Sequence, residues 1–176
     1  MQTTTTVRFA GFGGQGIVRA GEIVAAAALA EGKQVLQAQS YGSSARGGLC
    51  TTDVTVGSGL IVDVEADTLD VLVALSQDSC NHFQPMLAPS GTFIYDSDLV
   101  TAPDRAGARG VRATHIASSQ LGRAIVTNMV VLGFFGAATG LLRRETLEGA
   151  IRSHVPRGTD SLNLKAFSLG WDLALG

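Results

Sequence analysis

Val7-Arg8-Phe9-Ala10-Gly11-Phe12-Gly13-Gly14-Gln15-Gly16-Ile17 is the stretch that decides the fold. Val7 to Ala10 has strand chemistry, and glycines at 11, 13, 14 and 16 interrupt it. From Ile17 to Ala30 the residues favour helix, with Ala25 to Ala28 unbroken. Gly32 suits a helix C-terminal cap, and Val35 to Gln39 reads as a second strand. Strand, glycine loop, helix and strand in that order predict a parallel crossover.

Downstream, Tyr41 to Gly48 reads as a loop and Cys50 to Val56 as a strand. Gly57-Ser58-Gly59 then predicts a hairpin turn into Leu60-Ile61-Val62, which would make the sheet mixed. Val71 to Leu75 is an apolar run fit for a central strand covered on both faces. A helix is expected around Asp78–Met86 and a strand at Thr92–Tyr95, closed by Asp96-Ser97-Asp98. Residues 103–110 read as a surface loop and 111–116 as a last strand. Gly122 to Leu142 reads as a long apolar helix interrupted by Asn128, Gly133, Gly136 and Gly140. Helices over Arg144–His154 and Leu162–Leu175 flank a Pro156-Arg157-Gly158 turn. The prediction is a single three-layer α/β/α domain over residues 1–176. Its sheet is mostly parallel but mixed, with a Rossmann-like glycine loop after strand 1.

Composition narrows the function. Of 176 residues, 45% are hydrophobic and 16% charged, against about 25% charged in an ordinary domain. That balance excludes a disordered chain and points to a surface partly covered by a partner. The net charge of −2 excludes a general nucleic-acid footprint. Residues 1–100 are acid-rich and residues 101–176 base-rich, a modest asymmetry. The longest apolar run, Met129 to Leu142, is short for a bilayer span, so no membrane association is expected. Two cysteines, Cys50 and Cys80, without a secretion signal fit a cytoplasmic protein. They form no CxxC and cannot hold an iron–sulfur cluster by themselves.

Gly11-x-Gly13-x-x-Gly16 fits the dinucleotide-binding pattern and lies in the required strand-to-helix context. Such a pattern also needs an acid about twenty residues on for the ribose hydroxyls. No Asp or Glu stands between Glu31 and Asp53, so NAD binding is disfavoured. A tight turn that binds nothing, or a site for another phosphate or carboxylate, remains open. Ser40 to Gly48 follows a parallel strand and should emerge on the same sheet edge. Arg46 there suits an anion or a neighbouring protein surface. His82, His115 and His154 lack metal-ligand spacing, and Asp63, Glu65, Asp67 and Asp70 read as a solvated face. Asp96 and Asp98 suit either a functional strand end or turn formation. No nucleophile, base and orienting group assemble, so no catalytic residue is assigned.

Several segments occur together in a recognisable order: Phe9 to Gly16, Ser40 to Gly48, Asp70 to Gln77, Gly91 to Val100, and Asn128 to Gly133. With Asn163, Ala166 and Gly170, they make the chain resemble the gamma subunit of 2-oxoacid:ferredoxin (acceptor) oxidoreductases, most of all the 2-oxoglutarate type. The resemblance spans essentially the full length.

It implies a complex that oxidatively decarboxylates a 2-oxo acid to an acyl-CoA, with electrons passing to ferredoxin or another acceptor. Thiamine diphosphate, coenzyme A, Mg and iron–sulfur clusters would belong to the complex, none of them bound by this chain alone. The implied partners are alpha and beta subunits, with a delta subunit in some assemblies. By the same resemblance, Gly13, Gly14, Gln15, Gly16, Tyr41, Arg46 and Gly47 are the candidate cofactor-side residues. The chain departs from the family at Ser43-Ser44, where other members often carry Pro-Glu. A stand-alone nucleotide-binding protein and a pure scaffold are the competing readings.

Overall fold

A computed structural model describes residues 4–41, 48–59, 61, 68–101 and 105–176. Strand β1 (Thr4–Phe12) runs into the glycine loop and helix α1 (Ile17–Ala30), which returns to β2 (Gln34–Tyr41). Next come β3 (Leu49–Gly57), β4 (Leu69–Ala74), α2 (Gln77–Phe83), β5 (Leu87–Asp96) and β6 (Ala108–Val111). A short helix α3 (Ala113–His115) widens into a π turn over Ile116–Gln120. The chain then closes with α4 (Thr127–Thr139), α5 (Arg144–His154) and α6 (Asp160–Leu175).

The strands form one sheet in the order β2-β3-β1-β4-β5-β6. β1, β4, β5 and β6 run parallel, while β3 is antiparallel to both its neighbours, β1 and β2. β1 and β2 therefore point the same way with β3 wedged between them. The mixed sheet is as expected, but the hairpin is a different one. β3 pairs antiparallel with β2, and its other edge is taken by β1. Ile61 is in no strand, and Leu60 and Val62 lie outside the described residues.

Alternation along the strands sorts side chains between two unequal layers. Val7, Phe9, Val54, Val71, Val73 and Ile94 join one core with α1, α4, α5 and α6. Ala10, Leu72, Ala74 and Phe93 join a smaller core on the opposite face with Cys80 of α2. On that thinner face Arg8 and Asp53 sit opposite each other in register and pair at 2.5 Å. The guanidinium lies 4.8 Å from the centre of the Phe83 ring.

Two glycines explain how closely α6 packs on α4. A Cβ on Gly133 of α4 would land on the Phe167 carbonyl, and one on Gly170 of α6 on the Val130 carbonyl. The two backbones are in contact, so any side chain at either position would push the helices apart. Gly140, by contrast, ends α4 in the left-handed conformation at φ 60°.

Three further boundaries differ from the sequence expectation. Residues 113–116, expected to be extended, belong to a helical stretch running to Gln120, because Ala113, Ile116 and Ala117 are buried at helical spacing. The last strand instead occupies Ala108–Val111, overlapping the end of the expected loop. The long helix is broken at its start by a 3₁₀ turn, Ala124–Val126, so α4 begins only at Thr127. β5 starts at Leu87, five residues ahead of the expected Thr92.

Candidate functional site

The carboxyl ends of β1, β2, β4 and β5 share one edge of the sheet, where open α/β sheets bind ligands. At that edge the glycine loop turns from β1 into α1. Gly14 and Gly16 have φ of 90° and 75°, a region costly for other residues. Gly16 is also crowded: a Cβ there would strike the Asn128 carboxamide, whose Nδ2 donates to the Gly16 carbonyl at 3.3 Å. Gly13 is different. It is exposed, its φ is not positive, and a Cβ on it would meet nothing within 4 Å. No described residue requires Gly13 to be glycine.

Gln15 braces the loop. Its Oε1 accepts from the Phe12 N–H at 2.6 Å, and its Nε2 donates to the Leu75 carbonyl at 2.8 Å. The side chain thus links the end of β1 to the residue after β4. Past Gln15, α1 starts with no side-chain cap and no acidic residue in its first turn. Its first amides have no partner within the helix and favour a negative group.

Tyr41 is brought to the same edge by register. It pairs with Cys50, which pairs on its other side with Gly11, placing Tyr41 two strand spacings, about 10 Å, from the loop. The ring is exposed, and its hydroxyl donates to Gln39 Oε1 at 2.9 Å. Arg46 and Gly47 lie outside the described residues.

Two depressions flank the loop. One of about 270 Å³ is lined by Phe12, Gln15, Leu75, Ser76, Gln77, Asp78 and Leu99. Ser76 is no nucleophile, because its hydroxyl caps α2 by accepting from the Ser79 N–H at 3.2 Å. The other, about 310 Å³, is largely apolar and lies between the loop, the start of α4 and the α5–α6 turn. Asn128 and Asn163, each 8% exposed, line it. Neither stood out from the sequence as a site residue. The available signal was a lone carboxamide in each of two otherwise apolar helix faces.

The remaining candidates serve the fold. Asp96 is fully buried and accepts from the Thr114 N–H at 3.1 Å and hydroxyl at 2.5 Å, starting the helix after β6. Burial raises its carboxyl above the usual range despite those bonds. Burial likewise raises both thiols. Cys50 belongs to the thick core and Cys80 to the thin one, so the sheet separates them. This chain's cysteines do not fit a shared metal or iron–sulfur centre. Among the described residues, no three His, Cys, Asp or Glu side chains gather for a metal ion. Nor is any helix among them long and apolar enough to cross a membrane.

A profile of the family described as pyruvate ferredoxin/flavodoxin oxidoreductase matches residues 6–173. The chain belongs to that family. It is 38% identical over 174 residues to the 2-oxoglutarate synthase subunit KorC of Methanocaldococcus jannaschii, covering 96% of this chain and 92% of the other. The crystal structure of the keto/oxoacid ferredoxin oxidoreductase gamma subunit from Geobacter sulfurreducens superimposes with a TM-score of 0.89 at 38% identity. That match covers 98% of this chain and 97% of the other. The expected gamma-subunit character is therefore borne out, and so is the layered α/β fold. A third relative, the ketoisovalerate oxidoreductase subunit VorA of Methanothermobacter thermautotrophicus, is 38% identical over 83% of this chain. The matched region is only 31% of that longer protein. The gamma-type chain is thus a component of an oxidoreductase complex, encoded alone in some relatives and within a longer polypeptide in another.

Proposed function

We propose that this gamma-type chain serves a thiamine-diphosphate-dependent complex that oxidatively decarboxylates 2-oxoglutarate to an acyl-CoA and passes the electrons to ferredoxin or another acceptor. The chain supplies no reacting group. It joins alpha and beta subunits, and a delta subunit where the assembly has one, and it shapes the coenzyme A or cofactor side of the active centre. Iron–sulfur clusters and the thiamine diphosphate with its Mg belong to the partners, in the cytoplasm.

The observation that carries this reading is the nearly end-to-end likeness to KorC, at a sheet edge with a bare backbone and no catalytic group. Gly13 and Gly14 present unshielded peptide groups. The start of α1, with Tyr41, Arg46 and Gly47 from the next loop, would favour a phosphate-bearing group there. Gln15 holds the loop in shape rather than meeting the ligand.

A stand-alone dinucleotide binder is disfavoured by geometry as well as by the missing acid. The fingerprint places the ribose-binding acid at the end of the strand next to β1. Here antiparallel β3 occupies that place. Gln37 and Gln39, at the equivalent positions of β2, bond to Thr52 and Tyr41. Co-expression with the thiamine-diphosphate and iron–sulfur subunits tests the proposal. The expected result is co-purification and acceptor reduction dependent on 2-oxoglutarate and coenzyme A. Tight nucleotide binding by the isolated chain without partners would overturn it.

A further inference from the structure

Among the buried residues of α4, Asn128 alone carries a polar side chain, and that side chain is spent on the glycine loop. Its Nδ2 donates at 3.3 Å to the carbonyl of Gly16, 112 positions earlier in the chain. The carbonyl does not need this bond, because the Ala20 N–H already donates to it at 3.0 Å in the first turn of α1. A carboxamide in an apolar helix face carries a desolvation cost that an aliphatic side chain of the same size would avoid. What the amide adds is direction. It fixes the point where Gly16, left-handed at φ 75°, hands the chain to α1. The fit is mutual, since a Cβ on Gly16 would fall on the Asn128 carboxamide.

Asn163 shows the contrast. It is as buried as Asn128, at 8% exposed, but its Nδ2 stays at the start of its own helix, on the Thr159 carbonyl and hydroxyl at 2.9 and 3.1 Å. Asn128 reaches across to another element. Gln15 secures the opposite end of the loop, through its bonds to Phe12 and Leu75. Between Phe12 and Gly16, the two points so held, lie the exposed Gly13 and Gly14. A span this short, pinned at both ends, keeps its peptide groups aimed one way before a ligand arrives, so binding has less to order.

We infer that Asn128 is a positioning residue. It meets no ligand itself. By holding Gly16 it sets the aim of the Gly13 and Gly14 peptide groups on a phosphate group. The inference rests on the reading of this loop as the phosphate-facing edge and adds what fixes its shape from the α4 side.

The test uses the complex co-expressed with its partner subunits. Asn128→Leu keeps the volume and removes the amide. It should raise about tenfold either the apparent KM for coenzyme A or the thiamine diphosphate concentration giving half-maximal activity, with kcat at saturation retained. Whichever rises identifies the source of the phosphate. Asn128→His, whose ring N–H can take the place of Nδ2 while the rest of the ring enters the adjoining depression, should restore the lower value. A purely structural asparagine gives the reverse split: a lower melting temperature and less assembled complex, with both concentrations unchanged. That result, no effect of Asn128→Leu, or a loss that Asn128→His does not relieve would overturn the positioning role and leave the subunit reading standing. Acceptor reduction by the unsubstituted complex without coenzyme A, or by its partner subunits without this chain, would overturn both.

Discussion

Gln15 and Leu75 are joined by a 2.8 Å hydrogen bond from side-chain Nε2 to backbone carbonyl, across the gap between the ends of β1 and β4. Because Gln15 Oε1 also accepts from Phe12, one side chain sets the height and angle of the whole glycine loop. Gly11 makes room for it, since a Cβ there would collide with that oxygen. Replacing Gln15 by Leu should strand two backbone groups and cost about 1–3 kcal/mol. Urea denaturation of the isolated chain measures this directly. A change below about 0.5 kcal/mol would mean that the brace does not hold the loop.

The glycines should separate into two classes. Gly133→Ala or Gly170→Ala forces two helix backbones apart, and overpacking of this kind costs about 1–3 kcal/mol or more. Gly13→Ala should leave the melting temperature of the isolated chain within a degree or two, yet impair assembly or turnover of the complex. Thermal melts of the three variants, alongside complex activity, distinguish internal from external demand for glycine.

Glu31 gives the fold a defined acid dependence. Burial raises its pKa, but the Thr146 hydroxyl, the Arg143 N–H and Lys33 outweigh it and hold the carboxyl at about 2. A pKa lower in the folded than in the unfolded chain favours folding wherever the unfolded carboxyl is ionised. The contribution is therefore present above the unfolded value of about 4.3 and lost as pH falls toward 2. Glu31→Gln should lower stability at pH 7 and flatten the decline between about pH 5 and 2, read from denaturation midpoints at several pH values.

Arg46 carries the proposed contact with the phosphate-bearing group. Arg46→Ala should raise the apparent KM for coenzyme A about tenfold, the size expected for one charge-assisted hydrogen bond. The complex should still assemble. Unchanged KM together with unchanged assembly would remove Arg46 from the site.

The first crossover was legible because its signals are local: strand chemistry, a glycine loop, fourteen helical residues and Gly32, whose φ of 75° ends α1. α5 was legible to its ends for the same reason. The place of β3 was not, because an edge-to-edge pairing leaves no mark on the residues that form it. Ala113 to Ile116 was misread as strand because Val111 and Ile116 have strand propensity, whereas the deciding contact is a buried carboxylate, Asp96, eighteen residues before Thr114. Gly133 looked like Gly140 in sequence, and only packing tells a helix contact from a helix end. At the candidate edge, the place of the glycine loop between β1 and α1 could be read directly. The two asparagines drew no notice as a pair because they come together only when α4 and α6 pack.

The most direct measurement is acceptor reduction by the complex reconstituted with and without this chain, at saturating 2-oxoglutarate and coenzyme A. Turnover is expected only when the chain is present, with none from the chain alone. Full turnover by the partner subunits without it, or 2-oxo-acid oxidation by the isolated chain, would contradict it.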